Sequence, residues 1–349
     1  MGCYSYGAPQ LAFLMTFAKK ALILSAASAV TAGLAVPVIA QSNSISGAGA
    51  TFPAPAYQRW AVDFAKETQK QVNYQAVGSG AGVRQFHAGS IDFGATDEEL
   101  NASKGEFTKG VTAQRGAVQI PMMGGTVTPA YNNPSCKNLK LTQTQVADIF
   151  LGKIKTWDQL KCGKGSITVA HRSDGSGTTY AFTNSLSCFS PEFKTAVGAG
   201  KAVKWPVGVG GKGNDGVAGL ILNTPGSIGY LNQAFVKGKI TPVALQNKAG
   251  KFVLADDVSG AAALNSIKLD ERLGGEDCNP AGAKSFPIAT FTWILAYQKG
   301  NGEKAATLRQ FLLWGLSPKG QNIAKSLDYV PLTGAVLARS RAAVAKIGG

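Results

Sequence analysis

The chain has few of the side chains that catalysis draws on. Its 349 residues include two histidines, His87 and His171, and contain neither an HExxH nor a GxSxG run, which removes the zinc-peptidase and nucleophile-elbow templates. His171 lies in an apolar, strand-like run and reads as structural. No His/Asp cluster of the kind a metallophosphatase needs is visible in the sequence, so no metal, no other cofactor and no catalytic residue is expected. Cysteine is scarce and never spaced CxxC, which argues against structural zinc and thioredoxin-like chemistry. Acids are outnumbered, 20 Asp plus Glu against 35 Lys plus Arg, for a net charge of +15. That surplus is dispersed, without a Lys/Arg run, aromatic–basic interleaving or zinc-finger spacing, so nucleic acid is not an expected partner. A diffuse positive field raises the local concentration of small anions instead.

A single stretch approaches membrane-spanning length. Residues 21–40 carry no charge, follow Lys19-Lys20 and end Val38-Ile39-Ala40 before Gln41-Ser42, the layout of a secretory signal peptide cut after Ala40. Residues 1–14 are uncharged and unlike the start of such a peptide, and Met15 offers an alternative start. An uncleaved anchor is the competing reading; the Ala/Ser-rich run and the cut site favour cleavage. Cleavage leaves +13 on the remainder, since residues 1–40 hold two lysines and no acid. Export puts Cys136, Cys162, Cys188 and Cys278 in an oxidising compartment, an even set open to three pairings. Cys136–Cys162 with Cys188–Cys278 is preferred because the first pair closes a modest local loop; reduced, buried thiols are the alternative. Cys3 has no lipobox-like run before it.

Beyond a linker at 41–46, strand and helix periodicities alternate. Tyr57, Trp60, Ala61, Phe64, Ala65 and Thr68 recur at helical spacing, and helices are expected at 81–88, 143–151, from about 178, and at 214–222. Strands are expected at 72–76, 91–95, 167–171 and 227–231. A strand-like run at 286–297 leads into an amphipathic helix with Leu308, Phe311 and Leu312 on one face. This alternation predicts an α/β protein, and its length favours two domains. Crossings between them fall near 120–130 and 285–297. One lobe is therefore drawn as residues 41–122 plus 288–349, the other as 123–287.

Three segments read as oxyanion cradles: Gly47-Ala-Gly-Ala-Thr51-Phe52-Pro53, Gly78-Ser79-Gly80-Ala-Gly, and Arg172-Ser-Asp174-Gly-Ser176-Gly177-Thr178-Thr179. Each sets small residues and hydroxyls before a helix-like run, where free N–H groups and the positive end of the dipole favour an anion. The third is the most specific, because arginine supplies a forked donor and Asp174 can steady it. Asp97, at the end of a strand, is the odd member. An acid among anion-binding donors makes sense when the ligand keeps a proton to donate, as hydrogen phosphate does and sulfate does not. Gly208-Val-Gly-Gly-Lys-Gly213 matches GxGxxG without the expected preceding strand or distal acid, and is read as a glycine-rich loop at a domain edge.

These segments resemble the periplasmic phosphate-binding proteins of bacterial phosphate ABC importers. The resemblance also runs through Asp92-Phe-Gly-Ala-Thr-Asp97, Phe150-Leu-Gly-Lys-Ile-Lys-Thr-Trp157, Trp205-Pro-Val-Gly-Val-Gly-Gly-Lys-Gly-Asn-Asp-Gly216 and Pro225-Gly-Ser-Ile-Gly-Tyr230, covering nearly all of the chain after residue 46. It implies a two-lobed type II periplasmic-binding-protein fold whose hinge closes an interdomain cleft on inorganic phosphate. It further implies a monomeric, non-enzymatic, periplasmic carrier that delivers its ion to membrane ABC permease subunits. Carried over by motif, the ligands are the backbone N–H groups of Thr51 and Phe52, then Ser79, Asp97 as proton acceptor, Arg172, Ser176, Gly177 and Thr178, with Asp174 orienting Arg172. Gly80 departs from the family pattern, where a second serine often stands. Two other readings stay open, an exported phosphatase and a binder of another oxyanion such as sulfate or molybdate.

Overall fold

The computed structural model describes residue 2 and residues 43–349; the expected signal peptide at 1–40, with Cys3 and Met15, lies outside the described residues. The strands in chain order are β1 (Ser44–Gly49), β2 (Gln71–Ala76), β3 (Phe93–Thr96), β4 (Ala117–Asn132), β5 (Lys140–Leu141), β6 (Thr168–Arg172), β7 (Val209–Gly211), β8 (Ser227–Asn232), β9 (Thr241–Pro242), β10 (Ala244–Gln246), β11 (Phe252–Val253) and β12 (Ala289–Tyr297). Nine of them form one sheet in the order β2-β1-β3-β12-β4-β8-β6-β7, with β9 added beside β4. The remaining three pair as β11-β10-β5.

The sheet consists of two parallel halves joined through antiparallel strands. On one side β2, β1 and β3 run parallel; on the other β8, β6 and β7 do. Strand β4 serves both. It pairs with β12 as far as Thr126 and with β8 from Val127 onward. Its 16 residues extend about 50 Å. Strand β12 pairs with both β3 and β4. Opposite Pro121 the register between β12 and β4 shifts between Thr292 and Trp293, as expected where a proline cannot donate to the ladder.

The helices bury the faces that their periodicity marks. In the helix Ala54–Thr68, Tyr57, Trp60 and Phe64 are fully buried. In Lys304–Gly315, Leu308, Phe311 and Leu312 are buried as expected. His171 stacks on Trp205 with ring centroids 5.3 Å apart. The two disulfides are Cys136–Cys162 and Cys188–Cys278, with Cα atoms 4.8 and 6.2 Å apart. Residues 44–46, expected as linker, belong to β1. Among the described residues no helix is long and apolar enough to cross a membrane, and no group of three or more His, Cys, Asp or Glu could hold a metal ion.

Candidate functional site

The parallel strands of both halves end at one place, the carboxyl edge where open α/β sheets bind ligands. β1 leads through Thr51-Phe52-Pro53 into the helix Ala54–Thr68. β2 leads through Gly78 into Ser79–Ala88, and β3 ends beside Asp97. From the other half, β6 ends at Arg172 and leads to Gly177–Phe189, and β7 leads to Gly213–Asn223. Close approach of these turns requires glycine. At Gly49, with φ 150°, a Cβ would stand 2.0 Å from the carbonyl oxygen of Ala95; at Gly78, with φ 91°, it would stand 2.2 Å from Oδ2 of Asp174.

The two halves meet directly here. Gly80 N–H donates to the carbonyl of Gly175 at 2.8 Å. Thr51 Oγ1 accepts from the backbone N–H and the Nδ2 of Asn214 at 3.1 and 2.9 Å. Thr178 Oγ1 lies 3.4 Å from Asp97 Oδ2, and a Cβ on Gly177 would stand 2.6 Å from the backbone nitrogen of Asp97. Lys201 Nζ reaches Glu98 Oε2 at 2.8 Å nearby. The cleft is closed, and all eight expected ligand residues are buried inside it.

Its electrostatics are asymmetric. Arg172 is 4 % exposed and grips Asp174 with two hydrogen bonds, Nε to Oδ1 at 2.7 Å and Nη2 to Oδ2 at 2.6 Å. Asp174 also accepts from the N–H of Gly213 at 3.0 Å. Burial works against its ionisation, but Arg172 and the Gly213 N–H outweigh that and hold its carboxyl below the usual range. The third guanidinium nitrogen, Nη1, is buried with no protein partner. Such an orphaned charged donor is costly without an acceptor. The N–H groups of Thr51, Phe52 and Gly177 likewise have no protein acceptor among the described residues. Ser176 caps its helix by accepting from Thr179 N–H at 3.0 Å, which leaves its hydroxyl proton available. Ser79, fully buried, accepts from Asp97 N–H at 3.4 Å in the same way.

Asp97 lies in the same cleft, and 2 % of it is exposed. Burial pushes its carboxyl up to about 7, against the hydrogen bond from Thr292, the charge of Arg172 and the contact with Thr178. Thr292 Oγ1 donates to Asp97 Oδ1 at 2.8 Å. The site therefore combines a surplus of donors with one carboxyl poised to hold or accept a proton near neutral pH, a pattern fitted to a small oxyanion that is itself protonated.

Every residue singled out from sequence lies in this one cleft. Two contributors were not anticipated. Thr292 is hidden in an apolar strand and carries no local signal. Asn214 follows the glycine-rich loop that sequence reading assigned to a domain edge. The loop is preceded by a strand after all, β7, and delivers Gly213 and Asn214 into the cleft. The run Gly-Lys-Gly-Asn-Asp-Gly, shared with the resembling family, was the available signal.

A family model described as a PBP superfamily domain matches residues 36–319. The chain is 42% identical over 308 residues to the phosphate-binding protein PstS of Haemophilus influenzae, covering 84% of this chain and 90% of that one. It is 41% identical over 318 residues to PstS of Pasteurella multocida, covering 86% and 90%. Among solved structures, a high-affinity periplasmic phosphate-binding protein bound with phosphate superposes with a TM-score of 0.68 at 22% identity, covering 86% of this chain and 93% of that one. With two lobes, a shared long strand and this extent of sequence identity, the chain belongs to the PBP superfamily and, within it, to the family of the PstS phosphate-binding proteins.

Proposed function

We propose that this protein captures hydrogen phosphate in the cleft between its lobes and delivers it to an ABC importer. The observation that carries the reading is the buried Nη1 of Arg172, a charged donor without a protein partner, in the same cleft as the buried carboxyl of Asp97, which accepts the proton that the ligand offers. The ligands are the N–H groups of Thr51 and Phe52, with Ser79, Asp97, Arg172, Ser176, Gly177 and Thr178. The lobes comprise residues 41–122 plus 288–349 and residues 123–287. Contacts such as Gly80 to Gly175 and Thr51 to Asn214 form on closure, and the closed shape is what permease subunits receive. The protein acts in the periplasm as a monomer after loss of residues 1–40, as a carrier and not an enzyme, in keeping with its relatives, which are named as phosphate-binding proteins.

Calorimetric titration of ligand-stripped protein with phosphate and then sulfate at neutral pH tests this. The expected result is tight one-to-one binding of phosphate and no heat from sulfate. Equal binding of both ions would overturn the proton-acceptor role of Asp97, and turnover of a phosphate ester would overturn the carrier reading.

A further inference from the structure

Asn214 is fully buried at the start of the helix Gly213–Asn223 and directs both of its side-chain N–H donors into the cleft. Its Oδ1 accepts from the backbone N–H of Asn232 at 3.0 Å. A backbone N–H can only donate, so this contact settles which end of the amide is oxygen and turns the Nδ2 group the other way. One Nδ2 hydrogen goes to Thr51 Oγ1 at 2.9 Å and the other to Thr178 Oγ1 at 3.2 Å. The Asn214 backbone N–H adds a second bond to Thr51 Oγ1 at 3.1 Å.

The consequence is a count of lone pairs. A threonine hydroxyl has one proton and two acceptor positions. On Thr51 both acceptor positions are filled by Asn214, so donation is all that remains, and no acceptor for that proton lies among the described residues. Thr178 differs: one acceptor position is filled by Asn214, and its hydroxyl donates to Asp97 Oδ2 at 3.4 Å. We infer that Asn214 is a positioning residue that commits the hydroxyl of Thr51 to donate to the bound anion. It relays the fixed polarity of a strand amide into the cleft, and it does so across the lobe boundary, so the commitment is completed on closure. This rests on the phosphate reading of the site and adds to it: the cleft selects an acceptor-rich oxyanion before any ligand contact to Asn214 itself.

The test is phosphate titration of the ligand-stripped protein and of Asn214→Leu, alone and in a Thr51→Val background. Leucine keeps the branched shape and removes every polar atom of the side chain. Asn214→Leu is expected to weaken phosphate binding about thirtyfold, the worth of about one hydrogen bond to a charged partner. In the Thr51→Val background the same change is expected to cost about threefold, because the hydroxyl it orients is already gone. An equal cost in both backgrounds, or no cost in either, overturns the inference while leaving the phosphate reading intact, whereas a parent that binds no phosphate removes both. Asn214→Asp keeps the acceptor for Asn232 N–H and guards against misfolding in the leucine variant. Its carboxylate draws the Thr51 hydroxyl proton to itself, so it is expected to bind phosphate at least as weakly as Asn214→Leu; wild-type affinity in Asn214→Asp also overturns the inference.

Discussion

Arg172 and Asp97 divide the chemistry of the cleft between them. The guanidinium is clamped by Asp174 through two of its nitrogens, so its third is aimed without side-chain entropy left to lose. Removing it should weaken phosphate binding by about a hundredfold or more, since a charge-assisted bond and its field are lost together. Lysine should not restore it, because an ammonium lacks the fork that Asp174 holds. Unchanged affinity in Arg172→Ala would take Arg172 out of the ligand set. Asp97 works by discrimination. In Asp97→Asn, the ratio of phosphate to sulfate affinity should fall at neutral pH, because the amide offers donors to either ion; an unaltered ratio would end its assigned role.

Asp97 also makes a stability prediction whose sign follows from burial. Its carboxyl sits near 7 in the folded, unliganded protein and near 4 in an unfolded chain. The folded state thus holds the proton that the unfolded state gives up. The stability this group contributes is complete below about pH 4 and is lost as pH rises through about 7, by about 4 kcal/mol at most. Asp97→Asn cannot titrate. Its unliganded melting temperature should therefore gain on that of the parent between pH 4 and pH 8, and parallel melting curves across that range would contradict the burial argument.

At the scale of elements, the cleft is an arrangement of helix starts and strand ends. Each helix brings unsatisfied N–H groups, and glycine lets them come close. Gly177 is the sharpest case, since an added Cβ would meet the backbone nitrogen of Asp97 across the cleft at 2.6 Å. Gly177→Ala should weaken phosphate binding by about tenfold or more, as an overpacked contact that neither backbone can relieve. Phosphate titration checks this, and unchanged affinity in Gly177→Ala would contradict the tightness of that contact. Gly80, where the family often carries serine, is seated against the Cα of Gly175 at 3.1 Å from its would-be Cβ. Its N–H bonds the opposite lobe, so its part in closure does not depend on a hydroxyl.

Across the whole molecule, β4 and β12 tie the halves, and the disulfides pin segments far from the cleft. Cys136–Cys162 spans 26 residues and Cys188–Cys278 spans 90. Chain entropy assigns about 3.5 and about 4.6 kcal/mol to these crosslinks. Replacing each pair with serine should therefore lower the melting temperature in both cases, more for Cys188 and Cys278, with phosphate affinity retained because no cysteine lies in the cleft. The reverse order of melting temperatures would place the stabilisation in native packing instead.

The sequence by itself marked the candidate ligand residues and most of the elements. Thr51, Ser79, Asp97, Arg172, Asp174, Ser176, Gly177 and Thr178 were legible because each lies in a short run where residue type and helix start coincide, a purely local pattern. The amphipathic faces of Ala54–Thr68 and Lys304–Gly315 were legible for the same reason. What only the tertiary structure decided are pairings between distant segments. Residues 44–46 have little strand propensity and become β1 because β2 and β3 flank them. Thr292 acquires a role because β12 runs beside β3 and sets its hydroxyl 195 residues away against Asp97. Asn214 becomes a bridge because two lobes close on it. Local signals report what a segment can donate or bury; which atom receives the bond is a matter of long-range packing, and no window along the chain contains both partners.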